Sequence, residues 1–116
     1  KAAQEEARIQ GRSFAALLEG TGQPHESDVQ VDMMNRCWTV RTASHKAVFH
    51  WAHRQGAELY DLAADPGEMT NLAAKSAQRP VLAALLERMD DRLARSGHPY
   101  REQMLDAARA SSGLKA

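Results

Sequence analysis

His45, His50 and His53 are the side chains of this sequence best suited by type to hold a transition metal or to move a proton. Their spacing argues against a shared ion. Successive residues of a strand point to opposite faces, so His50 and His53, three apart, cannot join one ligand sphere unless the chain bends sharply between them. A solvated hairpin tip is the simpler interpretation, from which His53 could reach a cleft in a neighbouring domain and act there as acid or base. Asp61, Asp65 and Glu68 form a second cluster. Hard cations need several oxygens converging on one point, and the alternating ligand spacing of a calcium loop is missing. A structural role fits better, with Asp65 capping its own turn and Glu68 reaching backbone donors or a strand cation such as Arg41. The third group is Met33-Met34-Asn35-Arg36, which joins two β-type runs. Binding residues favour loops on rigid scaffolds, so Asn35 and Arg36 are candidates to line a substrate cleft.

Elements that could position these groups follow from periodicity. Phe14-Ala15-Ala16-Leu17-Leu18 predicts a short helix, with Ser13 as N-cap and Gly20 as the stop. Gly22 and Pro24 mark a loop over 21–27. Between 28 and 62 apolar and polar residues alternate in short runs: Val29 to Met33, Trp38 to Thr42, Ala47 to Trp51 and Glu58 to Leu62. The polar spacers are hairpin-sized, which predicts a four-stranded antiparallel sheet. Asp65-Pro66-Gly67 is a turn, and Asn71 is placed to cap a short helical turn through Leu72-Ala73-Ala74.

A longer helix begins at Pro80, carries Leu82, Leu85, Leu86, Met89 and Leu93 at spacings of three and four, and ends at Gly97 and Pro99. Its single apolar stripe and the apolar face of the sheet would cover each other, giving a two-layer α+β unit. Tyr100 to Ala110 continues with helical propensity.

Composition narrows the function classes. Fifteen Lys and Arg balance fifteen Asp and Glu across the 116 residues. Nucleic-acid and polybasic membrane binders depend on excess positive charge, which is missing here. No run approaches the roughly 20 apolar residues of a membrane helix. The single cysteine, Cys37, permits neither an internal disulfide nor a thiolate metal cluster, and it leaves the redox compartment open. The chain starts with Lys1 in a charged segment and reads as a cut or processed piece.

Three separated motifs resemble the sulfatase family. Gly11-Arg12-Ser13-Phe14-Ala15-Ala16-Leu17-Leu18-Glu19-Gly20 looks like its late Gly-x-Ser-Phe-x-x-Leu-Leu-x-Gly segment. Trp38-Thr39-Val40-Arg41-Thr42 followed by Lys46 resembles its Val-Arg-Thr…Tyr-Lys-Tyr strand pair. Glu58-Leu59-Tyr60-Asp61-Leu62, Asp65-Pro66-Gly67-Glu68 and Asn71-Leu72-Ala73 are similar to its Glu-Leu-Tyr-Asp-Leu…Asp-Pro-x-Glu…Asn-Leu-Ala signature. The likeness runs from about Arg8 to Leu93, with His45 in place of the usual tyrosine and the pair His50-Trp51 as a further departure.

The resemblance implies the C-terminal subdomain of a formylglycine-dependent sulfatase of the alkaline-phosphatase-like superfamily. Its fold would be a small four-stranded antiparallel sheet packed against a long C-terminal helix, normally appended to a larger α/β catalytic domain. On this basis residues 1–27 are a linker and short helix from the end of the catalytic domain, 28–97 the sheet-plus-helix subdomain, and 98–116 a C-terminal helical tail. Arg41, Lys46, Tyr60, Asp61, Asp65, Glu68 and Asn71 would be structural motif residues, and Asn35, Arg36 and His53 would line the cleft.

The segment would hold no catalytic residue and no cofactor of its own. Its parent would carry formylglycine and a divalent cation, calcium or similar. Cys37-Trp38-Thr39-Val40-Arg41 mimics the family's Cys/Ser-x-Pro-x-Arg site, but it has Thr for Pro and opens a strand rather than a helix. The implied partners are the catalytic domain of the same protein and a sulfated small molecule or glycan, with room for a homo-oligomer. A phosphonate or phosphate monoester hydrolase of the same superfamily would look alike here. A free-standing interaction module derived from such a tail is the alternative of another class.

Overall fold

The computed structural model describes residues 15–22, 29–31, 37–51 and 56–114. The Ser13 cap and the cleft candidates Asn35, Arg36 and His53 lie outside them. The order is α1 (Ala15–Leu18), β1 (Val29–Val31), β2 (Cys37–Arg41), β3 (His45–His50), β4 (Glu58–Asp61), a 3-10 turn (Ser76–Gln78), α2 (Arg79–Ser96) and α3 (Arg101–Ser112). The chain is α+β: helices cover one side of an antiparallel sheet of order β1-β2-β3-β4.

The register decides which side each residue takes. Trp38 faces Phe49, Val40 faces Ala47, and Ala47 faces Leu59. These five side chains are buried, while the intervening Thr39, Lys46, Val48, Glu58 and Tyr60 are only half-buried on the opposite face. That is the period-two pattern of a sheet covered on one side. Thr42 closes the β2–β3 hairpin, its N–H donating to His45 O at 2.8 Å and its hydroxyl accepting from His45 N at 3.1 Å.

Helix α2 buries Leu82, Leu85, Leu86, Met89 and Leu93, the whole apolar stripe. Pro80 sits in its first turn, where a missing N–H costs nothing. Gly97 ends it at φ 62°, and the next N–H, of His98, returns to Leu93 O at 3.0 Å, satisfying a carbonyl the helix leaves free.

The sheet's cover is a pair of helices rather than one. Helix α2 packs on β2 and α3 packs on β3, and α3 sends Met104, Leu105 and Ala108 into the same core. Three polar contacts tie α3 down: Ala57 N to Ser111 O at 3.0 Å, Arg79 Nη2 to Gly113 O at 2.6 Å, and Arg101 Nε to Asp90 Oδ1 at 2.6 Å. Among the described residues no helix is long and apolar enough to cross a membrane.

One expected element differs. Leu72 to Ala74 is not helical, and the helical turn comes later, at Ser76–Gln78. Asn71 is engaged elsewhere, as its contacts below explain.

Candidate functional site

The half-buried face of the sheet and the turn after β4 gather most of the motif residues. Register places Lys46 opposite Tyr60 and Val48 opposite Glu58, so Lys46, His50, Glu58 and Tyr60 share one face of two adjacent strands. Glu58 is their hub. Its Oε2 lies 2.6 Å from His50 Nε2, and its Oε1 accepts the Tyr60 hydroxyl at 2.5 Å.

Burial works to raise the Glu58 carboxyl. The hydrogen bonds from Tyr60 and His50, with the attraction of His50 and Lys46, outweigh it and hold the group below its ordinary value. An ionised carboxylate only accepts, so the proton of the short His50 contact belongs to Nε2.

Tyr60 moves the other way. Its bond to Glu58, then burial, then the negative charges of Glu58, Glu68 and Asp65 push the phenol up to about 12 from 10.0. A group whose pKa rises on folding stabilises the fold fully below its unfolded value and loses that contribution as pH climbs through the folded one. Stability should therefore fall from pH 10 towards about 12, and the ultraviolet phenolate titration should resolve Tyr60 at the upper end of that window. A Tyr60→Phe variant should lose this alkaline dependence. Unchanged alkaline behaviour in that variant would remove the Tyr60–Glu58 bond as its source.

The turn is a set of backbone clamps. Asp61 Oδ1 accepts from Ala63 N at 3.0 Å and Ala64 N at 3.1 Å. The Asp65 carboxylate accepts from Met69 N and Thr70 N at 2.9 Å through Oδ2, and these two N–H groups hold it below its ordinary value. Asn71 Oδ1 accepts from Leu59 N at 3.0 Å and Ala73 N at 2.9 Å, while its Nδ2 donates to Ala57 O at 3.3 Å. With Leu72 N donating to Leu59 O at 2.8 Å, residues 71–72 occupy the outer hydrogen-bonding edge of β4.

Glu68 has the one positive φ among described non-glycine residues, 53°. Its carboxylate meets Lys46 Nζ at 2.6 Å, so the strand cation it reaches is Lys46 and not Arg41. Arg41 stands one strand further away, opposite Lys46 in the ladder, and is exposed. The buried Glu68 Oε1 makes this close charge contact without an aligned hydrogen bond.

Left-handed backbone costs a side chain about 1 kcal/mol, and a partly exposed ion pair contributes about 0–1 kcal/mol. Glu68→Gly relieves the first while losing the second, whereas Glu68→Ala loses the pair and keeps the strain. Urea midpoints should place the glycine variant about 1 kcal/mol above the alanine variant. Equal midpoints would mean that the φ of 53° carries no cost.

No three His, Cys, Asp or Glu residues converge to hold a metal among the described residues. His45 Nδ1 lies 2.9 Å from Ser44 Oγ and His50 is engaged with Glu58, so neither points into a shared ligand sphere. Cys37 opens β2 opposite His50, in extended backbone and not at a helix start. Among the described residues, then, these side chains do not assemble a formylglycine–cation centre.

Sequence reasoning missed the Glu58 hub, although the i, i+2 spacing of Glu58 and Tyr60 already put both on one face. It also missed the packing of Trp51 against Tyr100, with ring centroids 6.0 Å apart, because those residues are far apart in the chain.

Comparison with known proteins finds sulfatases both by sequence and by fold. The family model of the N-sulphoglucosamine sulphohydrolase C-terminal region matches residues 2–95. A Delta 4,5-hexuronate-2-O-sulfatase of Bacteroides thetaiotaomicron is 40% identical over 58 residues, which are 50% of this chain and 12% of that protein. A crystal structure assigned as a sulfatase from Bacteroides thetaiotaomicron VPI-5482 superposes with a TM-score of 0.64 at 29% identity, covering 80% of this chain and 22% of that one. The chain thus spans a small fraction of the length of these relatives. With the match running through the sheet, the clamped turn and helix α2, the chain belongs to the N-sulphoglucosamine sulphohydrolase C-terminal family, as a sulfatase C-terminal subdomain.

Proposed function

We propose that this chain completes a larger hydrolase of sulfate esters, with its sheet and long helix beside an α/β catalytic domain of the same protein. The observation that carries the proposal is the family match over residues 2–95, joined to the small share of each relative that the chain spans. The nucleophile and any divalent cation belong, on this reading, to the catalytic domain, because the motif carboxylates here are engaged by backbone N–H groups, Tyr60, His50 and Lys46.

The segment also contributes one wall of the substrate cleft. Cys37 pairs with His50, so the connections that contain Asn35, Arg36 and His53 are both anchored at one end of the sheet. Loops gathered at one end of a rigid sheet are where a fold places groups that meet a substrate. The names of the relatives favour a sulfated sugar as that substrate.

The test uses the intact polypeptide that carries this chain. Peptide mapping should find a Cys/Ser-x-Pro-x-Arg segment bearing formylglycine, and chromogenic aryl sulfate should be hydrolysed. Hydrolysis of a phosphate or phosphonate monoester alone would assign the protein to the sister activity. A polypeptide with no catalytic domain would leave the interaction module as the function.

A further inference from the structure

The cleft end of the sheet carries an aromatic feature that the clamped motifs leave unused. Trp51 directly follows β3, at the end where Cys37 and His50 pair. Its ring stands edge-to-face on the fully buried Trp38, with centroids 5.4 Å apart at 88°. On its other side it meets Tyr100 at 6.0 Å and 67°, and Tyr100 in turn lies 6.2 Å from the His98 ring. Tyr100 is 50% exposed, a large fraction for an aromatic ring pinned by neighbours on two sides.

His98 also lines a cleft of about 440 Å³ at the α2–α3 corner, with Leu93, Pro99, Arg101, Glu102 and Gln103. Arg101 is fixed there by Asp90 at 2.6 Å, and Glu102 and Gln103 are exposed. An aromatic ledge thus runs into a cleft lined by hydrogen-bonding groups.

We infer that Trp51, Tyr100 and His98, with the neighbouring cleft, form a sugar-binding subsite that takes a pyranose ring. The inference rests on the sulfatase reading for its place beside the substrate and extends it to a binding role for this end of the chain. A pyranose has one face of polarised C–H bonds and a rim of hydroxyls. The C–H face is attracted to the negative face of an aromatic ring, as an aromatic edge is. The hydroxyl rim needs a few donors and acceptors, and His98, Glu102 and Gln103 bring such groups to the cleft lining. Rigidity favours binding, because a ledge already held by the buried Trp38 loses little freedom when a ligand settles on it. Tyr100 and His98 lie beyond residues 2–95 of the family match.

The experiment is saturation-transfer NMR on the intact polypeptide, with the methyl glycosides of N-acetylglucosamine and glucuronic acid as probes. Neither carries a sulfate, so neither is consumed. Transfer to the ring C–H protons is expected with the native sequence, retained in Tyr100→Phe, and accompanied by about 2- to 10-fold weaker binding in Tyr100→Ala, the range of one aromatic contact. Tyr100 is half exposed, so the alanine variant should keep its core and a cooperative urea transition. Equal binding by Tyr100→Ala, or no transfer to either probe, would overturn the subsite. Tyr100-dependent transfer in a protein that hydrolyses no sulfate ester would keep the subsite and reject the sulfatase reading.

Discussion

Deleting residues 98–116 is expected to abolish cooperative folding of this unit. Helix α3 buries Met104, Leu105 and Ala108 against β3 and α2, and each of the two larger side chains stabilises the fold by about 1.5–3 kcal/mol. The deletion also exposes part of the apolar sheet face and removes the bonds to Ala57 N, Arg79 and Asp90. Together these losses reach about 5 kcal/mol or more, against a total of about 5–15 kcal/mol for a typical domain. The truncated chain should keep much of its far-ultraviolet dichroism, lose its near-ultraviolet signal from Trp38 and Trp51, and bind a hydrophobic dye. A sharp urea transition with the native slope would mean that sheet and α2 form a sufficient core alone.

Asn71→Ala should be unusually costly for a substitution at an exposed position. One side chain makes three hydrogen bonds, two as acceptor and one as donor, and one of its partners is the N–H of the fully buried Leu59. Removing it strands a buried donor as well as losing the bonds, for a cost of about 2–4 kcal/mol. Thermal melting should drop by roughly 10–20 °C. Asn71→Asp keeps the accepting oxygen and loses only the bond to Ala57 O, so its melting temperature should fall between those of the native and alanine proteins. A melting temperature within about a degree of native for the alanine variant would show that water replaces the amide at the edge of β4.

Local pattern carries much of this structure and fails at identifiable places. The alternation Trp38-Val40, Ala47-Phe49 and Leu59 marks the covered face of the sheet, and the α2 stripe with Pro80 and Gly97 marks a helix and both its ends. Both signals are short-range and strong. Asn71 departs from its expected role because its sequence neighbours suggest a helix cap, while its amide is engaged by Leu59 and Ala57, 12 and 14 residues upstream.

Glu68 finds a cation other than the expected one for a related reason. Arg41 and Lys46 are equally plausible by charge, and only the hairpin register puts Lys46 on the strand beside the turn. The Trp51–Tyr100 contact needs α3 to fold back over β3, which no local window contains. For the proposed cleft wall, sequence supplies the candidates Asn35, Arg36 and His53, which lie outside the described residues, and the described strands supply the anchors of the two connections that hold them.

The backbone bonds of Leu59 to Asn71 and Leu72 have a further consequence, for growth of the sheet. A strand edge with free N–H and C=O groups is a template for another chain. Beside Leu59 that template is occupied by the protein's own residues 71–72, so polymerisation cannot propagate from this side without first peeling the turn away. The sheet therefore has a direction: a recruited strand would have to come to β1, which pairs with β2 alone among the described strands.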